Sequence, residues 1–403
     1  MDPARPEVPA RKASQPSFWA KSLMVGMAVA LLPNVLVSFV VRRLRGAQKD
    51  LPFLEDLRRS AIRGVTLLPI RVLLARRPPL DVEALISAPR LKNYDRQLCL
   101  PVSDGLCNGF WICRGPPGSS QHPRESDIVL MYIHGGAYCF GEPLGSTLLL
   151  LRAAEIAAAA RSVSVSIFTV AYTLAPAGGT FPLQQCQAVA AYRHLLDVER
   201  IPSEKIVIGG ESAGSHLALT CLLGVAEARL PKPAGALFLF PWISLKNESP
   251  SFERNKHKDV LTKSLLDRCA DLVIGPNNGK PGAGVQEGID WDQLELVDLN
   301  LPLGPGRGNW KQILPSFTWM NVGEHDMFFD DIVAFRKTAE ADGARMEVNV
   351  TPKKPHGWHA EDRPMANTLL QMSPDETFPS EKLPGCENVG NGLITVWDEM
   401  RKG

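Results

Sequence analysis

From about residue 94 onward, short apolar runs alternate with longer stretches of helical periodicity. Runs at Gln97–Leu100, Gly109–Cys113, Ile128–Ile133, Val165–Ala171, Ile206–Gly209, Ala236–Phe240, Ser316–Val322 and Met346–Val350 predict strands. Thr147–Ala160, Leu183–Leu196, Ser215–Ala228 and Ile332–Asp342 predict helices between them. The first two strands read as a hairpin. After that, nearly continuous apolar strands alternating with helices are what a mostly parallel sheet covered on both faces requires. Residues 245–312 break the rhythm, being rich in charge, Gly and Pro (PNNGKPGAGVQEG, LPLGPGRGN). So long a break inside a compact domain reads as a cap or specificity insert. The catalytic domain is therefore expected at 94–403, with this insert inside it.

The N-terminal quarter follows a different pattern. Residues 1–22 are polar, Pro-bearing and basic, and are expected to be a disordered tail. Leu23–Val41 then runs 19 residues without a charge. At about 1.5 Å per residue, a helix of that length nearly crosses a hydrocarbon core of roughly 30 Å. It predicts a single-pass transmembrane helix, with Arg42, Arg43 and Arg45 directly after it. No small-x-small site follows, which disfavours a cleaved leader. Arg5, Arg11, Lys12 and Lys21 on one side balance the basic residues on the other, so the positive-inside rule gives no clear orientation. Sequons at Asn247 and Asn349 favour a lumenal domain, although Pro250 and Pro352 follow them. The expected location is an endoplasmic reticulum membrane, with the face undecided. Residues 42–93 form an amphipathic, cap-like segment. Within it, 61–77 carries Arg63, Arg71, Arg76 and Arg77 among apolar positions. It reads equally as a helix on the membrane surface and as part of a cap.

Composition narrows the function class. Against 43 acidic residues stand 44 Lys and Arg, for a net charge of +1, which excludes a basic nucleic-acid binder and an acidic disordered chain. Hydrophobic residues make up 45% of the 403, enough for a full core. The eight cysteines are scattered, with no CxxC and no zinc spacing, so neither a metal nor a disulfide scaffold is expected. Cys107 and Cys113 are the pair that an oxidising compartment could bridge.

The chemistry sits at strand ends. Ile206–Ser215 reads IVIGGESAGS, placing Gly210-x-Ser212-x-Gly214 between an apolar strand and a helix. A serine on such a turn exposes its hydroxyl. Upstream, and again directly after a strand, stands Tyr132-Ile133-His134-Gly135-Gly136-Ala137-Tyr138. Glycines there let backbone N–H groups converge on a developing oxyanion; an ordinary Gly-Gly turn is the alternative. A serine nucleophile also needs a base and an orienting acid. Asp326 follows one late strand and His356 the next, in the order Ser, acid, His of an α/β-hydrolase. Glu324, Asp330 and Asp331 compete for the acid, and His325 and His359 for the base. Asp330 and Asp331 read better as caps of the following helix.

Taken together, these residues resemble the hormone-sensitive-lipase-like branch of the α/β-hydrolases, which includes arylacetamide deacetylases and fungal steryl acetyl hydrolases. The resemblance spans roughly residues 90–365. It rests on His134-Gly135-Gly136, on Ala171-Tyr172-Thr173-Leu174-Ala175-Pro176 with Phe181-Pro182, on the turn around Ser212, and on the Asp326 and His356 segments. It implies Ser212 as nucleophile, His356 as base, Asp326 as orienter, and an oxyanion hole from the N–H groups of Gly135, Gly136 and Ala213. The sequence departs from the family at Ala137, Glu211, Ser215 and Trp358. The implied activity is hydrolysis of hydrophobic short-acyl esters, such as acetylated sterols, terpenoids or secondary metabolites, without a cofactor. An acyltransferase or lyase using the same serine, or a non-catalytic receptor of the same fold, are the alternatives. A small hydrophobic ester and the membrane are the expected partners, nucleic acid is not, and the oligomeric state is left open.

Overall fold

The computed structural model describes residues 26, 33, 35–45, 51–75, 80–117, 122–275, 296–303 and 308–402. Eight strands form one sheet: β1 (Leu100–Asp104), β2 (Cys107–Cys113), β3 (Ile128–Ile133), β4 (Val165–Val170), β5 (Ile206–Glu211), β6 (Gly235–Leu239), β7 (Phe317–Gly323) and β8 (Met346–Thr351). Their order is β1-β2-β4-β3-β5-β6-β7-β8. β2 runs antiparallel to both β1 and β4, and every other pairing is parallel.

The apolar strands are buried along both faces, and alternate residues serve opposite cores. Val129, Met131 and Ile133 of β3 join one cluster, whereas Ile128, Leu130 and Tyr132 join the other. On the first face lie α3 (Leu183–Asp197), α4 (Ala213–Glu227) and α6 (Phe329–Ala341), through residues such as Tyr192, Leu217 and Phe335. The second face carries α2 (Thr147–Arg161) and α7 (Pro384–Met400), through Leu150, Leu151, Val389 and Leu393. The predicted sheet with helices on both faces is therefore observed.

Three local expectations change. The first strand starts at Leu100; Pro89–Gln97 is a 3-10 helix instead, with Leu91 and Tyr94 buried in the core. Cys107 and Cys113 stand at opposite ends of one strand, about 20 Å apart by strand rise, and all eight cysteines are free. Of the two sequon asparagines, one is buried and the other is half-buried on the edge strand β8. Asn247 is fully buried between Trp242 and Asp267, and Asn349 accepts from Asn321 and Asn388. A glycan on Asn247 would have to displace this packing.

Among the described residues, no helix is long and apolar enough to cross a membrane. Most of the predicted span lies outside the described residues. Its last turns are helical over 35–44 and pack on α1 (Phe53–Thr66). There Phe39 meets Phe53 edge to face, and Arg42 reaches Asp56 and Ser60. The 61–77 stretch divides into α1 and a short helix Ile70–Ala75. Arg59 and Arg63 of α1 turn inward, onto the main-chain carbonyls of Lys258 and Asp259. This part of the basic stretch thus packs as a cap against the insert.

Candidate active site

β5 delivers Ser212 at its carboxyl end, and α4 begins at the next residue. The turn is strained: Ser212 adopts φ 54° and ψ −121°, outside the regions that L residues favour. Close packing holds it there. A Cβ at Gly214 would lie 2.1 Å from the Ile133 carbonyl oxygen, so only glycine lets the start of α4 meet the end of β3. The main chain of Ser212 is tied on both sides, its N–H donating to Leu239 and its carbonyl accepting from Trp242.

The predicted acid and base converge on this serine. His356 Nε2 lies 2.9 Å from Ser212 Oγ, and His356 Nδ1 lies 2.9 Å from Asp326 Oδ2. Asp326 comes from the turn after β7 and is wholly buried; Ser212 and His356 are 8% and 9% exposed. The relay is thus largely shielded from bulk water. The second carboxylate oxygen of Asp326 accepts the Phe328 N–H at 2.8 Å, which fixes the plane of the carboxylate. Phe240 and Phe328 meet the imidazole edge to face, with centroids 4.7 and 4.9 Å away. Burial opposes protonation of His356, but the charges of Asp326, Asp259 and Glu211 outweigh it and raise its pKa.

The rival residues are occupied elsewhere. Glu324 accepts the Lys353 N–H, Asp330 pairs with Arg254, and Asp331 accepts from Ser249. Asp330 and Asp331 occupy the first turn of α6, where the helix dipole favours negative charge, rather than its cap. His325 lies 3.2 Å from the Arg59 guanidinium. His359 bonds Asn388, and burial lowers its pKa to about 4.

The loop after β3 lies over the serine turn. A Cβ at Gly135 would come within 3.2 Å of the Ser212 Cβ, so this loop touches the nucleophile directly. Gly136 holds φ 114°, and Ala137 and Tyr138 follow at 51° and 60°, so the methyl of Ala137 is carried in a left-handed conformation. From below, Tyr172 supports the loop, donating to the His134 carbonyl and stacking on its ring. Of the three predicted oxyanion amides, Gly135 already donates to Glu211 in a long bond of 3.4 Å. Glu211 also accepts from Ser146, so its carboxylate braces the loop from behind. The other two predicted amides stand on the loop, at Gly136, and at the first residue of α4, Ala213.

Sequence reasoning missed Asn255. Its side chain donates to the carbonyls of Glu324 and Asp326, clamping the acid loop from the insert. Such a bond to main-chain oxygens leaves no motif.

A family model described as alpha/beta hydrolase fold matches residues 130–360, and the chain belongs to that family. An acetyl-hydrolase of Streptomyces hygroscopicus is 28% identical over 283 residues, covering 67% of this chain and 82% of its own. Hormone-sensitive lipase of Mus musculus is 29% identical over 222 residues, 53% of this chain and 27% of the lipase. Among solved structures, an esterase/lipase from an uncultured bacterium aligns with a TM-score of 0.59 at 22% identity, over 85% of this chain and 99% of its own.

Proposed function

We propose that this chain is a serine carboxylic-ester hydrolase. The observation that carries the reading is the unbroken relay Ser212–His356–Asp326, with 2.9 Å at each step. His356 Nε2 takes the hydroxyl proton as Ser212 Oγ attacks the ester carbonyl. The N–H groups of Gly136 and Ala213 receive the oxyanion, joined by Gly135 as its long bond to Glu211 gives way. The tetrahedral intermediate collapses, and His356 returns the proton to the departing alcohol. Water then clears the acyl-enzyme by the same route. A receptor would have no use for a base aligned on a strained serine.

The substrate class we favour is a hydrophobic ester with a short acyl group. Beside the oxyanion loop, Tyr138 packs against Tyr172, Phe181 and His216, with ring centroids 5.4 to 5.9 Å apart. The Tyr138 hydroxyl and His216 Nδ1 share a hydrogen bond of 2.6 Å, and burial lowers the His216 pKa to about 3, keeping the ring neutral. His216 stands one turn after Ser212, so these rings fill space next to the nucleophile. The acetyl-hydrolase relative points the same way. On p-nitrophenyl esters, kcat/KM for acetate or butyrate is expected to exceed that for octanoate by about tenfold or more. Faster turnover of octanoate would overturn the short-acyl assignment.

The same reading keeps the protein at a membrane through residues 23–41. Two features support it: the charge-free run itself, and the placement of exposed apolar side chains. Leu36, Val37, Leu44, Phe53, Leu54 and Leu67 are all between 49% and 82% exposed on the 35–44 helix and around α1. Such a cluster is unusual on a water-facing surface. The full-length chain is expected to stay with the membrane pellet through high-salt and alkaline carbonate washes. Release by salt alone would contradict the anchor.

A further inference from the structure

A second buried carboxylate stands beside the Asp326–His356 pair, and the acyl-transfer steps make no use of it. Asp259 is 0% exposed, in the turn that leads into α5 (Lys263–Ile274). Its Oδ1 accepts the His356 N–H at 2.9 Å and the Val260 N–H at 2.6 Å, and its Oδ2 accepts the Met327 N–H at 2.7 Å. One carboxylate therefore joins the insert to the residue after the catalytic acid and to the base itself. The turn is gripped from outside by α1. Arg63 donates to the Asp259 carbonyl. Arg59 donates to the carbonyls of Lys258 and Lys353, at 2.7 and 2.9 Å.

We propose that Asp259 is a positioning residue that fixes the His356 backbone against the Asp326 loop and adds a second negative charge beside the imidazole. The proposal rests on Ser212, His356 and Asp326 acting as nucleophile, base and orienting acid. Its geometry admits no substitute from the amide family. Both oxygens accept N–H groups, so asparagine would set its own NH2 against a donor and leave a buried N–H unpaired. Its charge matters because His356 becomes an imidazolium as the serine reacts. The charged groups facing that ring are Asp326 from the acid loop, Glu211 from β5 and Asp259 from the insert, and all three favour the protonated form. Burial and Asp326 push the Asp259 carboxyl up to about 6, while His356 pulls it down. Arg63, on its carbonyl, and Arg59, on the carbonyl of Lys258, are the nearby cations.

The sign of the pH effect follows. A charged neighbour raises the His356 pKa, and His356 must be neutral to accept the serine proton. Removing the charge lowers that pKa and carries the acid limb of kcat/KM to lower pH. It also makes the base weaker where it is neutral. The test uses full-length D259N on p-nitrophenyl acetate. Its kcat is expected to fall about tenfold or more with KM within about twofold, and its acid limb to move down by roughly half a pH unit or more. D259E keeps the charge with altered reach, so it should lose kcat while its acid limb stays near the wild-type pH. Wild-type kcat in D259N, or a loss with the limb unmoved, would overturn the proposal, since a merely structural role predicts no shift. Should D259N not fold, D259E decides: wild-type kcat there, or an acid limb moved by roughly half a pH unit or more although the charge is kept, would overturn the proposal. Full activity in S212A would instead sink the underlying reading, so the two failures are distinguishable.

Discussion

Ser212→Ala is expected to lower kcat on p-nitrophenyl acetate by about 10⁴-fold or more, because it removes the oxygen that His356 Nε2 activates. The fold should hardly notice. Alanine keeps the Cβ and therefore the same backbone strain at φ 54°. The main-chain bonds of residue 212 to Leu239 and Trp242 remain. His356, the partner of the missing hydroxyl, is still held in place by Asp326. Thermal melting should therefore stay within about 2 °C of wild type. Comparing turnover and melting in one preparation checks both halves. Activity above a hundredth of wild type would mean that another group attacks the ester.

Asp326→Asn should be nearly as damaging, for a reason visible in the carboxylate's two bonds. One oxygen accepts the Phe328 N–H at 2.8 Å and the other accepts His356 Nδ1–H at 2.9 Å. Asparagine has a single acceptor oxygen. If that oxygen keeps Phe328, its NH2 faces Nδ1 and donates to it. The proton of a neutral imidazole then sits on Nε2, and the base can no longer take the serine proton. The loss of the charge also removes the largest favourable influence on the imidazolium. A fall in kcat of roughly 10³- to 10⁴-fold is expected, the scale seen when the orienting acid of a serine triad is replaced by its amide. KM should change little, since Asp326 is wholly buried and does not face substrate. A loss below tenfold, measured in steady-state assays across pH, would remove Asp326 from the orienting role.

What the sequence reveals of this site depends on whether a residue acts through its own type or through geometry. The serine turn and oxyanion loop are readable because each needs glycine where backbones touch, as at Gly214 against Ile133. Asp326 and His356 are readable because each follows an apolar strand. Asp259 and Asn255 are not, because they bind main-chain groups from a segment with no regular periodicity. The same holds for Arg59 and Arg63. In sequence they look like a basic surface, yet both are buried and hold main-chain carbonyls. The C-terminal helix α7 is masked in the sequence by its own glycines. A Cβ at Gly392 would lie 2.7 Å from the Trp319 ring, and one at Gly390 would lie 2.8 Å from Ile156. These glycines let the helix approach β7 and α2 closely, although glycine counts against a helix in any propensity argument.

The most direct measurement is covalent labelling of the full-length chain with a fluorophosphonate, followed by peptide mapping. The phosphonyl group should appear on Ser212, at one equivalent per chain, with ester hydrolysis lost in step with labelling. Hydrolysis that persists with Ser212 fully labelled, or labelling that maps to a different residue, would contradict the assignment of Ser212 as the nucleophile.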